Sequence, residues 1–321
     1  MRNIASLLWM SFFIFGGLSA QAQTYPSKPV RIIVPFVPGG TVDLVARALA
    51  QQLTEQSGQN FIVDNRAGAS GVIGSDLVAK ASPDGYTLLV QSPTLIASPL
   101  MLKKVPYDVF KDFTPVTLLG SVPMIMVTSD KNPSNNISDF FKYAQDPTRK
   151  ASFGTSAVGS PMHLAMESIK HTSKLDVPVV AYRGTAAAIN DLLGGQIDAI
   201  IDAIPSTGPH IASGKLKALA VTTKKRLPAY PQIPTLAESG FPDFEMVSWY
   251  GLWAPANLPP AISKQLAEMS SKAMNSKSVR DLLVKQGFVP ELIASDQFAG
   301  FLTRELAQYS RIVRISNIQI D

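Results

Sequence analysis

Short β-branched runs alternate with longer stretches of helical periodicity along most of this chain. Residues 30–34 read as a strand. Behind Gly39-Gly40, the apolar positions Val42, Val45, Ala46, Leu49 and Leu53 fall on one helical stripe. A second strand is predicted at 61–63, a second helix at 71–81 and a third strand at 88–90. This β-α-β-α-β order predicts a right-handed, mostly parallel sheet with helices on its faces. The rhythm restarts beyond a proline-punctuated stretch around Pro115 and Pro123. There the pattern gives a strand at 152–154, a helix at 161–169, a strand at 177–180, a helix at 185–193, and strands at 199–201 and 216–221. An aromatic strand at 246–253 follows Pro242, and two prolines open a helix at Ala261. The last helix starts at Ser295, with Phe298, Phe301, Leu302 and Leu306 on one stripe.

Two such units exceed one domain of about 100–200 residues. Long strands near 116–127 and 246–253 argue that the chain crosses into a second lobe and returns. The expected division is residues 23–120 with 250–321 as lobe one and 121–249 as lobe two. No period of 20–50 residues repeats, which argues against a solenoid.

Composition narrows the chemistry. The 321 residues are 46% hydrophobic and 17% charged, enough for a large core. Arg2, an apolar run over 4–15 and Ala20-Gln21-Ala22 have the layout of a cleaved secretory signal, so residues 1–22 are expected to be removed. The apolar run is shorter than the roughly 20 residues of a spanning helix. With no cysteine, disulfides, thiolate chemistry and lipid-modified cysteine are excluded. His163, His171 and His210 have no helical ligand spacing, and neither a metal nor a cofactor is expected. The net charge of +5 contains no basic run beyond Lys224-Lys225-Arg226, which argues against nucleic acid. A positive balance helps attract an anion, although a solvated basic surface explains it equally.

Two segments carry the candidate chemistry. In Pro35-Phe36-Val37-Pro38-Gly39-Gly40-Thr41-Val42-Asp43, two glycines at a helix start leave N–H groups at its positive end, a site for a carboxylate or phosphate. A tight turn without a ligand is the alternative for a lone Gly-Gly. Gly154-Thr155-Ser156-Ala157-Val158-Gly159-Ser160-Pro161-Met162-His163 repeats the device, with Ser160 and Pro161 as an N-cap and N1 pair. Ligands of open α/β sheets lie at the carboxyl ends of strands. Other segments point to the same place: Ala69 and Ser70, Ser92, Arg183 and Gly184, and Asp202. Arg66 and Arg183 are each candidates to pair with a carboxylate or to form a surface ion pair. No Walker loop or dinucleotide fingerprint is present. Ser156 lacks the closing glycine of a nucleophile elbow, and His163 reads as a polar cleft or capping residue rather than a general base.

As a set, these segments resemble the Bug-type receptors, the substrate-binding proteins of tripartite tricarboxylate transporters. The similarity lies in Tyr25-Pro26-Ser27-Lys28-Pro29-Val30, Pro38-Gly39-Gly40 with Asp43, and Asn65-Arg66-Ala67-Gly68-Ala69-Ser70-Gly71. It continues through Pro83-Asp84-Gly85-Tyr86-Thr87, the 154–163 segment, Tyr182-Arg183-Gly184 and Gly194-Gly195-Gln196-Ile197-Asp198. The resemblance implies a two-lobed periplasmic-binding-protein (Venus-flytrap) fold of class α/β and a periplasmic, monomeric receptor. It also implies a small carboxylate ligand (amino acid, di- or tricarboxylate, or aromatic acid) and integral-membrane transporter subunits as partners. In such receptors backbone N–H groups and ordered waters hold the carboxylate. That carries Phe36, Gly39, Gly40 and Asp43 over to the first loop, and Thr155, Ser156 and Ser160 to the second. Val37, Thr41, Val42, Val158 and Met162 would tune ligand choice. The competing readings are a periplasmic serine hydrolase using Ser156 and a sensor docking on a membrane kinase.

Overall fold

A computed structural model describes residues 25–318 except 285, 286, 292 and 317. The expected signal segment lies outside the described residues. The first third follows the predicted rhythm: β1 (Val30–Val34), α1 (Thr41–Ser57), β2 (Phe61–Asn65), α2 (Val72–Ala79), β3 (Thr87–Gln91) and α3 (Thr94–Met101). β1 lies between β2 and β3, parallel to both, with Val30 opposite Phe61 and Arg31 opposite Thr87. β1 is buried at every position but Arg31, which is why it reads as an apolar run broken only by that residue.

β4 (Phe113–Ser129) is a single strand of 17 residues. Beyond it come α4 (Ile137–Gln145), β5 (Phe153–Thr155), α5 (Pro161–Ser173), β6 (Val179–Ala181), α6 (Thr185–Gly194), β7 (Ala199–Ala203), α7 (Ile204–Ala212) and β8 (Leu216–Val221). β5 is parallel to β6 and β7. The chain closes with β9 (Val247–Pro255), α8 (Pro260–Met274), α9 (Lys277–Leu283), β10 (Ile293–Ala294) and α10 (Ser295–Ile315).

The strand order is β2-β1-β3-β9-β4-β7-β5-β6, with β8 and β10 also on β4. The expectation of a mostly parallel sheet holds for the two outer trios. The middle is antiparallel: β9 pairs antiparallel with β3 and β4, and β4 pairs antiparallel with β7, β8 and β10. β4 serves both groups in succession. Its residues up to Pro123 face β9, and from Met124 onward it faces β7 and β8. The fold is α/β and two-lobed, with helices flanking a mixed sheet.

Period-two alternation along β9 separates two jobs. Trp249 and Trp253 point to one side and form an aromatic cluster with Phe298 and Phe301 of α10. Gly251 sits between them on that side, where a Cβ would come within 2.6 Å of the Phe298 and Trp253 rings. The indole Nε1 of Trp249 donates to Glu305 Oε2 at 2.6 Å, and the Tyr309 hydroxyl donates to the same oxygen at 2.6 Å. Ser248 and Tyr250 point to the other side.

Four helices went unpredicted. α3 and α7 contain Pro99 and Pro209, which read as breakers, and α4 and α9 are short. The predicted strand at 177–180 is displaced to β6, because Pro178 has no N–H for a ladder. Among the described residues, no helix is long and apolar enough to cross a membrane.

Candidate functional site

The carboxyl ends of β1, β3, β5 and β7 open onto one cleft of about 390 Å³. Three helix starts line it. Gly40 and Thr41 begin α1, Ser160 and Pro161 begin α5, and Gly184 and Thr185 begin α6. The sequence pattern marks the first two as paired glycine loops, and places the third through the helix predicted at 185–193 and the candidates Arg183 and Gly184. The first amides of a helix have no intrahelical acceptor. Those of Gly40, Thr41, Val42, Met162, Thr185 and Ala186 have no protein acceptor among the described residues. Three positive helix ends with free donors around one cavity make a site for an anion.

The first loop is held from below. Gly39 has φ +90°, a conformation that favours glycine, whereas Gly40 is extended at φ −80°. Gly39 N–H donates to Asp43 Oδ2 at 3.0 Å, so this amide is spent on the loop itself. Arg47 Nε donates to the same oxygen at 2.9 Å, and Asn65 Nδ2 donates both to Asp43 Oδ1 at 2.9 Å and to Phe36 O at 3.0 Å. Asp43 is therefore a brace, buried beneath the loop and outside the cleft lining, in place of the ligand contact expected of it. Burial acts to raise its pKa, but hydrogen bonds from Arg47, Gly39 and Asn65 together hold the carboxyl below its ordinary value. Asp43→Ala leaves two of these donors unpaired and is expected to cost about 1–3 kcal/mol in urea unfolding. Because the folded value is depressed, the stabilisation is complete above the ordinary carboxylate pKa of about 4. It is lost as pH falls through the lower folded value, and the native and Asp43→Ala midpoints should converge in acid.

The second loop is braced in the same way. Ser160 Oγ accepts from His163 N at 3.2 Å and lies 3.3 Å from Thr155 Oγ1. Gly159 N donates to His163 Nδ1 at 3.3 Å. Burial, with Lys170 nearby, pushes the His163 pKa down to about 4, so the ring is a neutral acceptor near pH 7. Thr155 and His163 are buried behind the loop and do not line the cleft; the short side chains that close the loop turn inward. Ser156 does line it, and its carbonyl accepts from Gly184 N at 2.9 Å. His163 Nδ1 is engaged by Gly159 rather than by Ser156, so this histidine is not placed as a base for the serine.

Of the remaining candidates, Phe36, Gly39, Gly40, Ser92, Ser160, Arg183, Gly184 and Asp202 line the cleft with Ser156. Ala69 and Ser70 line an adjoining cavity of about 610 Å³ that shares Phe36, Ser156, Arg183 and Gly184 with the first. Arg66 instead pairs with Asp64 at 3.0 Å. Ser92 is buried at the end of β3, its Oγ 3.0 Å from Thr94 Oγ1. Asp202 lies at the carboxyl end of β7 and is buried. Its Oδ1 accepts from Ala203 N at 2.7 Å and its Oδ2 from Thr185 Oγ1 at 3.0 Å. Burial pushes its pKa up to about 7 against these two donors.

Sequence reasoning missed Ser248 and Tyr250 on the cleft side of β9, and Asn190, Ser206 and His210 on α6 and α7. Ser248 Oγ donates to the Tyr250 hydroxyl at 2.9 Å, and burial drives that phenol's pKa well up. The alternation along β9 was a signal available for Tyr250. His210 sits on the helix hidden by its prolines.

The family described as "Tripartite tricarboxylate transporter family receptor" matches residues 45–318. Protein BugT of Bordetella pertussis is 36% identical over 307 residues, which cover 94% of each chain. The structure of R. palustris Rpa4515 with adipate superposes with a TM-score of 0.88 at 33% identity, over 92% of this chain and 99% of that one. The periplasmic binding protein BugD gives a TM-score of 0.86 at 31% identity, over 92% and 99%. Of these, BugD is described as a periplasmic binding protein, and the Rpa4515 structure holds adipate. With its two-lobed fold and a cleft ringed by free helix amides, the chain belongs to the tripartite tricarboxylate transporter receptors and is a solute-binding protein.

Proposed function

We propose that this receptor captures a small carboxylated metabolite in the periplasm and hands it to integral-membrane transporter subunits. Residues 23–120 with 250–321 would form one lobe and 121–249 the other, with the ligand between them. Residues 1–22 would direct export, and the mature chain would act as a monomer. The observation that carries this reading is the convergence of the α1, α5 and α6 amino ends on one cleft. Closing two or three positive helix ends around an anion offsets their mutual repulsion, whereas a neutral molecule leaves them opposed. The structure of Rpa4515 with adipate supports a carboxylate as the class of ligand.

A carboxylate panel in a thermal-shift assay tests it. Ligand at about 100 times its Kd adds roughly 2.7 kcal/mol to the folded state. That moves the melting temperature of a chain this long by several degrees. At least one mono-, di- or tricarboxylate is expected to do so, with a matching fall in radius of gyration, while its amide and methyl ester do not. Equal shifts from the neutral analogues, or none from any acid, would overturn the proposal.

A further inference from the structure

Asp202 is out of place in a cavity built for anions. It is the one acidic side chain among the described residues lining the cleft, and it is about 1% exposed. Its two oxygens are met by Ala203 N–H and the Thr185 hydroxyl, and no cation lies against it among the described residues. Buried carboxylates are ordinarily paired with a cation or give up their charge. The titratable and charged groups facing the same space are Tyr250 from β9, Arg183 from the loop into α6, and His210 from α7. β4, which pairs with β7 along its other edge, brings only Ile125 opposite Asp202.

We propose that Asp202 reads the second carboxylate of a dicarboxylic ligand as a protonated acid, so that each ligand is captured together with one proton. The inference rests on the carboxylate-receptor reading above. Ala203 N–H keeps Oδ1 as an acceptor, and Oδ2, on the Thr185 side, carries the proton and donates it in a hydrogen bond to a ligand oxygen. The proton comes from solvent, and no other bond is made or broken. The tendency is already built into the protein itself, because burial has raised this carboxyl to about 7. A second negative charge a few ångströms away favours the neutral acid further.

Calorimetric titration of malonate, succinate, adipate and citrate into the whole mature protein tests this between pH 6 and 8.5. For the dicarboxylates that bind, affinity is expected to fall about tenfold per unit above pH 7, roughly thirtyfold by pH 8.5, as one proton is linked to binding. At pH 8 the heats in phosphate and Tris should differ by close to the difference between the two buffers' ionisation enthalpies, as for one proton taken up. That comparison needs no variant. Propionate and butyrate, which lack a second carboxylate, should show no proton uptake. Asp202→Asn should make affinity flat across this range, and His210→Gln, the control for the histidine that lines the same cleft, should retain the slope. Buffer-independent heats, an unchanged slope in Asp202→Asn, or a slope lost in His210→Gln overturns the role of Asp202 and leaves the receptor standing. If no acid binds at all, the receptor reading fails and takes this inference with it.

Discussion

Gly39→Val is expected to weaken carboxylate binding at least tenfold, while Gly40→Ala leaves the fold unchanged and Arg183→Ala costs less than the Gly39 change. The two glycines look alike in sequence and differ in backbone. Gly39 has φ +90°, where a β-branched residue is strained by about 1–3 kcal/mol. Relief of that strain turns the peptide and breaks the Gly39 N–H bond to Asp43, moving the free amides of Gly40, Thr41 and Val42. Each charge-assisted hydrogen bond lost to a bound carboxylate is worth about 1.5–3 kcal/mol, or roughly ten- to hundredfold in affinity. Gly40 is extended, and nothing lies within 4 Å of where its Cβ would be. Titration calorimetry with any binding carboxylate decides the order. A Gly39→Val protein that binds normally beside an Arg183→Ala protein that does not would put the grip in the arginine instead of the amides.

The legible parts of the fold were those where period and punctuation agree. α1 shows a clean stripe behind Gly-Gly, and its C-cap Gly58 lies in the left-handed region. α5 is announced by Ser160-Pro161. Proline misled the reading elsewhere, because its local rule was overridden by position. Pro115 falls beside a register shift in the β4–β9 ladder, and Pro123 where β4 passes from β9 to β7 and β8. One long strand therefore looked like a shorter one. The candidate site was legible as loops and blurred as side chains. Asp43, Thr155 and His163 are polar groups close to glycine, the composition of a ligand loop and equally of a loop that holds itself. Which way they face depends on Asn65, Arg47 and the α5 turn, contacts that no spacing encodes.

Trp249→Ala should lower stability by about 3–5 kcal/mol, the usual cost of removing a fully buried large aromatic. Trp249 is 1% exposed, with its ring centroid 5.4 Å from Phe301 and 6.0 Å from Trp253. Its removal also takes the indole donor from Glu305 Oε2, which among the described residues keeps the Tyr309 hydroxyl. Trp249→Phe keeps most of the ring packing and should cost less than half as much. Urea midpoints for the two variants measure the difference. A loss below about 1 kcal/mol for the alanine variant, under the usual range for such a site, would mean that α10 is held mainly by its other contacts, with α3 and α5.

The position of β9 in the sheet has a consequence for how this chain acquires its structure. β3 is complete by residue 91, yet its open edge is covered only by β9, with Leu89 opposite Trp253. β4 likewise waits for Val221 and Pro255, which close the strands that cover one of its edges in succession. Pairings this distant give a high contact order and slow folding, since the connecting chain must be closed before the contacts repay it. An amino-terminal fragment ending before β9 carries two apolar strands with unpaired edges, the form most open to aggregation. The edges of β3 and β4 are thus completed by a strand made late in synthesis.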